Sequence, residues 1–134
     1  MDWHLAREVN VIAYSPLANT NPVYRSPKDV PPILKDSFWE DLAKEKNATV
    51  PQVILAWGLH RGTIVIPKSV HEKYIEENRW ALEGDITFTA EERAEIAKKD
   101  KKLRLNDPGK GWGVGLFKGL DDPTRLHEDD GLEL

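Results

Sequence analysis

The chain has 134 residues, of which 40% are hydrophobic and 31% are charged, and its formal net charge at pH 7 is -4. This composition is that of a soluble chain with one hydrophobic core, and the length is short for two domains. Charges of both signs are interspersed, and the balance is acidic. We therefore predict no nucleic-acid partner, because binding to a phosphate backbone requires a basic surface.

Other classes of site and partner are also disfavoured by composition. The absence of cysteine excludes a disulfide framework and a thiolate metal site, and the four histidines are too scattered to indicate a metal cluster. No apolar run approaches the roughly 18 to 20 residues that a membrane span needs, and the first residues lack the pattern of a signal peptide. We predict no metal site, no membrane partner and a cytoplasmic location.

Two short apolar runs predict β-strands. Residues 9–14 are rich in β-branched side chains and stop at Ser15, and residues 63–66 form a second run. The first run is mostly apolar, as expected for a strand that is covered on both faces. Residues 15–32 contain five prolines and predict a long loop, which in a compact domain is usually functional or mobile.

Four helices are predicted by the same N-terminal sequence pattern, the capping box, in which a Ser or Thr is followed three residues later by Glu or Gln. The four pairs are Ser37 with Glu40, Thr49 with Gln52, Ser69 with Glu72, and Thr89 with Glu92. We expect the second helix to end at Gly62, the third to span residues 70–82 and the fourth to span residues 90–100. Strands separated by helices are expected to pair in parallel, in an α/β fold.

The junction between the second strand and the third helix is the strongest candidate for a binding site. Lys68 and Ser69 stand where the strand ends and the helix begins. There, helix N-terminal amides and one ammonium converge, which favours a phosphorylated ligand. The alternative from these residues alone is a solvent-exposed lysine before an ordinary serine cap.

Several segments, in this order, resemble the C-terminal half of aldo-keto reductases. They are residues 13–17 (AYSPL), residues 51–57 (PQVILAW), residues 65–69 (VIPKS) followed by Glu77-Asn78, and residues 88–92 (FTAEE). The resemblance covers roughly residues 9–104. It implies a partial (β/α)8 TIM barrel, with the two strands as the seventh and eighth and helices beside them, over residues 1–104. Residues 105–134 are predicted to be an irregular tail.

The same resemblance implies an oxidoreductase that reduces aldehydes and ketones to alcohols by hydride transfer from NADP(H). Tyr14 matches the aromatic residue on which the nicotinamide stacks in that family. Ser15 and Leu17 match neighbours of the pyrophosphate. The proline-rich loop over residues 15–32 would cover the pyrophosphate.

The adenosine end of the cofactor is assigned by resemblance to the second strand and third helix. Lys68 and Ser69 match the residues that meet the 2'-phosphate, and Val70 belongs to the same cofactor-binding set. Glu77 and Asn78 match the residues that hold the adenine.

One position departs from the family pattern. Tyr74 stands where an arginine is usual, and a phenol does not give phosphate the bidentate, permanently charged contact of a guanidinium. Neighbouring Lys73 is a candidate substitute. We therefore predict NADP as the cofactor and keep NAD as the alternative.

The length of the chain indicates how much of a barrel it contains. A complete barrel of this type takes about 250 residues, so the sequence corresponds to about half of one, and the family's catalytic residues belong to the other half. We predict no catalytic residue here and no reductase activity of the isolated chain. The small carbonyl substrate is expected to bind to the complete enzyme. Unpaired strand edges favour self-association or a complementary partner. The alternative function is a non-catalytic nucleotide-binding or interaction module.

Overall fold

A computed structural model describes residues 2–18, 32–101, 103 and 112–113 of the chain. The elements are α1 (Asp2–Leu5), β1 (Val11–Tyr14), a 3-10 helix (Ile33–Lys35), α2 (Ser37–Glu45), α3 (Val50–His60), β2 (Thr63–Ile66), α4 (Glu72–Glu83) and α5 (Ala90–Lys98). The predicted order of two strands and four helices is confirmed, and α1 and the 3-10 helix are additions. Most of the predicted long loop and of the predicted tail lies outside the described residues.

The two strands pair in parallel, as predicted, with Val11 beside Thr63 and Tyr14 beside Ile66. Strand β1 begins two residues later than expected. Val9 donates its backbone N–H to the carbonyl of His4 at 2.9 Å, in the turn that follows α1. That amide is therefore used before the sheet begins.

The hydrophobic core is built around α3. Val53 on this helix has no exposed surface and belongs to the core cluster, and Leu55, which is also fully buried, lies on α3 outside that cluster. The buried side chains that complete the core come from α2, α5 and the segment before α5, and they are Trp39, Leu42, Phe88 and Ile96. Burial of one large aliphatic side chain stabilises the fold by about 1.5–3 kcal/mol, and α3 contributes the two largest side chains that are fully buried.

The link from α3 to β2 positions the second strand. Gly62 adopts a φ of 75° and donates its N–H to the Leu59 carbonyl at 2.9 Å, which confirms the predicted glycine ending. The Thr63 hydroxyl donates to the Gly58 carbonyl at 2.6 Å. A Cβ on Gly58 would lie 2.7 Å from Val65 Cγ1, so glycine is required for the close approach of α3 to β2.

Two of the four predicted capping boxes are confirmed. The Thr49 hydroxyl accepts from the Gln52 N–H, while the Gln52 side chain accepts from the Thr49 N–H at 2.8 Å. Thr89 and Glu92 exchange the same pair of hydrogen bonds at the start of α5. Both helices therefore begin where the sequence predicts.

The predicted box at Ser37 is wrong. Asp36 is the N-cap of α2, and its carboxylate accepts from the Phe38 N–H at 3.1 Å, while Ser37 is already the first helical residue. Asp36 has extended backbone angles, so its carboxylate faces the free amides of the first turn. A carboxylate there also interacts favourably with the helix dipole.

Because Asp36 rather than Ser37 caps α2, substitutions at these two adjacent positions are expected to differ in their effects. Asp36→Ala is expected to lower the free energy of unfolding by about 1 kcal/mol, because it removes the cap of α2. Ser37→Ala is expected to change it by less than about 0.5 kcal/mol, because the exposed hydroxyl caps nothing. Urea unfolding followed by circular dichroism measures both values. A larger loss for Ser37→Ala would show that the serine is the cap.

Candidate functional site

The carboxyl ends of β1 and β2 lie at one edge of the sheet. Tyr14 is the last residue of β1, and its partner in the register is Ile66, the last residue of β2. Lys68 follows two residues after Ile66. The parallel pairing thus brings Tyr14 to the edge from which the Lys68 segment leaves, and ligands of open parallel sheets bind at such an edge.

One face of the two-stranded sheet is open. The exposed side chains are Ile12 at 57%, Tyr14 at 62%, Ile64 at 48% and Ile66 at 51%, whereas the alternate residues of both strands are half-buried. The expectation that β1 is covered on both faces is therefore wrong for the part of the chain that the structure describes. The helix α3 packs against one face, and no described element covers the other. The Tyr14 ring is consequently available for stacking.

The chain turns sharply after Tyr14. Ser15 and Ala18 adopt positive φ angles of 49° and 57°, a conformation that costs a non-glycine residue about 1 kcal/mol or more. The side chain of Leu17 packs against the hydrophobic core and anchors the turn. Nothing in the sequence signals the left-handed residues, because neither is glycine or asparagine.

The start of α4 differs from the prediction. The N-cap of α4 is His71, which makes no side-chain capping bond, and the helix begins at Glu72 rather than at residue 70. The Ser69 hydroxyl oxygen instead accepts from the His71 N–H at 3.1 Å. The predicted box at Ser69 is therefore wrong, because a local turn uses the hydroxyl two residues before the helix.

Lys68 and Val70 flank Ser69 and are both exposed. Within the described residues, the Lys68 ammonium has no salt-bridge partner. This ammonium is therefore available to an anion. Val70 presents an apolar surface beside it.

The first two turns of α4 carry the remaining candidates. Tyr74 is exposed, and its ring meets the His71 ring edge-on at 5.6 Å. The Lys73 ammonium lies 3.9 Å from the Glu77 carboxylate. Glu77 and Asn78 are both half-buried. Lys73 is therefore directed toward the Glu77 carboxylate.

Two kinds of feature are absent from the described residues. Between residues 2 and 101, outside the gap at 19–31, every helix is too short or too polar to span a lipid bilayer. The same part of the chain holds no group of three His, Asp or Glu side chains placed to bind a metal ion.

The segments around this site match a known family. A sequence model of the Aldo/keto reductase family matches residues 3–101. The chain belongs to the aldo/keto reductase family. The match includes both strands and helices α2 to α5, and therefore every residue of the candidate site.

Curated relatives of the aldo/keto reductase chain agree with this membership. An aldo/keto reductase of Synechocystis sp. is 37% identical over 100 residues, which cover 74% of this chain and 30% of that protein. Aldo-keto reductase family 1 member D1 of Oryctolagus cuniculus is 35% identical over 124 residues, or 92% of this chain and 35% of that protein. A relative from Malus domestica, 36% identical over 84 residues, is named NADP-dependent D-sorbitol-6-phosphate dehydrogenase; the match covers 63% of this chain and 26% of that protein. The chain spans about a third of the length of the first two relatives.

A solved structure has the same fold over most of this chain. The crystal structure of an aldo-keto reductase of the silkworm, Bombyx mori, superposes with a TM-score of 0.69 at 31% sequence identity. The superposition covers 85% of this chain and 34% of the silkworm chain. The α/β fold described above is therefore one that an aldo-keto reductase contains.

Proposed function

We propose that this chain is the cofactor-binding, C-terminal part of an NADP(H)-dependent aldo-keto reductase barrel, with β1 and β2 as its seventh and eighth strands. The complete enzyme would reduce small aldehydes and ketones to alcohols. The observation that carries the proposal is the parallel register that sets Tyr14 beside Ile66, at the edge where Lys68 follows. The name of the Malus domestica relative supports NADP as the cofactor.

The residues at this edge fit a phosphorylated dinucleotide. The exposed Tyr14 ring offers a flat surface on which the nicotinamide stacks. The cofactor supplies the hydride, and the side chains of this chain bind and orient it. Ser15 and Leu17 would hold the pyrophosphate, and Leu17 would do so through its backbone, because its side chain packs against the core.

The adenosine end is assigned to the start of α4. The exposed Lys68 ammonium would meet the 2'-phosphate. The Ser69 hydroxyl accepts from the His71 N–H and donates to the His71 carbonyl at 3.4 Å, and it would exchange that long hydrogen bond for one to a phosphate oxygen. Asn78 offers an amide donor and acceptor to the adenine edge. Glu77 would accept from the adenine amine, and Val70 would pack beside the sugar.

Removal of the Lys68 charge is the first test of this assignment. NADPH is expected to quench the tryptophan fluorescence of the full chain saturably, and Lys68→Ala is expected to weaken binding about tenfold, because a charge-assisted hydrogen bond is lost. Lys44→Ala is the matched control, since Lys44 is exposed on α2 and, within the described part of the chain, forms its salt bridge with Asp41. Absence of saturable quenching, or equal loss in both variants, would contradict the assignment.

The open sheet face favours a second candidate function, a non-catalytic nucleotide-binding or interaction module. Ile12, Ile64 and Ile66 form an apolar surface beside strand edges that lack partners within the described chain. Such a surface favours association with a second copy or with a complementary barrel segment. Under this candidate, sedimentation gives a mass above the 15.3 kDa of one chain, and no added segment produces turnover.

If the chain is part of a reductase, adding the missing part of the barrel is expected to produce activity. The isolated chain is expected to bind NADPH without oxidising it in the presence of a simple aldehyde. Addition of the remainder of an aldo-keto reductase barrel is expected to produce turnover. Turnover by the isolated chain would contradict the assignment of no catalytic residue to this sequence.

A further inference from the structure

An aromatic pair stands at the start of α4, beside the residues assigned to the adenosine end. Tyr74 lies in the first turn of this helix, and its side chain is 51% exposed. Its ring meets the ring of His71, the N-cap residue, edge-on, with centroids 5.6 Å apart and planes at 85°. An edge-on contact covers at most one face of a ring, so the Tyr74 ring keeps a surface open to a ligand.

The backbone of His71 is held by hydrogen bonds on both sides. Its N–H donates to the Ser69 hydroxyl oxygen at 3.1 Å. Its carbonyl accepts the N–H groups of Tyr74 and Ile75, each at 3.0 Å, where the helix begins. Because its backbone is held in this way, the His71 ring supports the Tyr74 ring from a defined position.

Helix geometry places Tyr74 on the same face of α4 as the two residues assigned to the adenine. Glu77 and Asn78 follow Tyr74 by three and four positions. Side chains at these spacings are neighbours on a helix, with Cβ atoms about 5–6 Å apart. A purine whose edge is hydrogen-bonded by Glu77 and Asn78 therefore lies within reach of the Tyr74 ring, which favours stacking on the face of the base.

The charges near this turn offer little further recognition of a phosphate. Of the two lysines in residues 67–78, Lys73 lies 3.9 Å from the Glu77 carboxylate, which leaves Lys68 for the 2'-phosphate. The Tyr74 phenol offers a phosphate one neutral hydrogen bond, which is weaker than a charge-assisted one. The 2'-phosphate distinguishes NADPH from NADH, whereas the adenine is common to both.

We propose that Tyr74, supported by His71, is the platform on which the adenine of the cofactor stacks, and that this stacking gives affinity for NADPH and NADH alike. The inference rests on the proposed function, because it takes the adenosine end to lie at the start of α4. Selection of NADPH is left to Lys68. The chain is therefore expected to bind NADH more weakly than NADPH by only about the tenfold that one charge contributes.

Fluorescence titration of both nucleotides against the full chain tests the platform. Tyr74→Ala is expected to weaken NADPH and NADH by the same factor, about tenfold, because the stacking of one base on an aromatic ring is lost. Tyr74→Phe keeps the ring and is expected to bind both as the unmodified chain does. The planar guanidinium of Tyr74→Arg also stacks, so NADH binding is retained there. Ile75→Ala is the matched control with no expected effect, because Ile75 is the next residue of α4 and is 52% exposed.

Two further measurements separate stacking from a structural role of the pair. His71→Ala is expected to weaken both nucleotides about threefold, because the edge-on support of the Tyr74 ring is lost, and His71→Phe is expected to restore binding. A nuclear Overhauser effect between the Tyr74 ring protons and the adenine H2 or H8 proton is expected in the complex. A residue that only stabilises the fold would not produce that signal.

The outcomes distinguish failure of the platform from failure of the proposed function. If Lys68→Ala weakens NADPH selectively while Tyr74→Ala changes neither nucleotide, the adenosine site stands and the platform is wrong. A loss in Tyr74→Ala that is confined to NADPH would show that the phenol serves the phosphate, which also overturns the platform. Absence of saturable binding of both nucleotides would contradict the proposed function and the platform together.

Discussion

Replacement of Leu55 by alanine is expected to lower the free energy of unfolding by about 2–5 kcal/mol. The side chain has no exposed surface, and α3 is packed on different sides by α2, α4 and β2. Packing from several elements limits collapse into the space that the substitution leaves, so both the transfer term and the cavity term apply. Urea unfolding followed by circular dichroism gives the value.

Leu82→Ala is the matched control for that substitution. It removes the same atoms from a helix, but Leu82 on α4 is 72% exposed. We expect a change of less than about 0.5 kcal/mol. Comparable losses for the two leucines would show that α3 is not the centre of the core.

Tyr74→Arg is expected to tighten NADPH binding by about tenfold and to leave NADH binding unchanged. A guanidinium in the first turn of α4 would add a bidentate, permanently charged contact near the Lys68 ammonium. Only NADPH carries the 2'-phosphate that this contact needs. Because Tyr74 is exposed, the substitution leaves no cavity. Fluorescence titration of both nucleotides against both chains measures the ratio.

A second arginine on the same helix controls for net charge. Leu82→Arg adds one positive charge at an exposed position of α4, more than two turns beyond Tyr74. It is expected to change the binding of both nucleotides little. Equal tightening by the two arginines, or an equal gain for NADH, would remove the start of α4 from the proposed 2'-phosphate site.

The order of elements was predictable because the signals that define it are local. Thr49 and Thr89 each stand immediately before a helix, and the structure uses both as N-caps. At α2 two cap residues are adjacent, and the direction from which the chain approaches the helix selects Asp36 over Ser37. At α4 the Ser69 hydroxyl is used within a turn. Sequence spacing does not show the direction of approach.

The proximity of the candidate-site residues was predictable for a different reason. Parallel pairing brings the ends of two strands to one edge, so the proximity of Tyr14 to the segment after Ile66 follows from the order of elements. The open face was not predictable, because every residue of β1 is apolar and burial depends on what covers the strand. The positive φ angle of Ser15 was also not predictable, because serine has no strong preference for the left-handed conformation.

Chemical-shift mapping of the full chain with NADPH tests the central proposal most directly. If the carboxyl edge of β1 and β2 holds the dinucleotide, the backbone amides of residues 14–17 and 68–78 shift saturably, and the Lys68→Ala variant loses the shifts at the start of α4. Shifts confined to α2 and α5, or no shift at millimolar NADPH, would contradict the proposal.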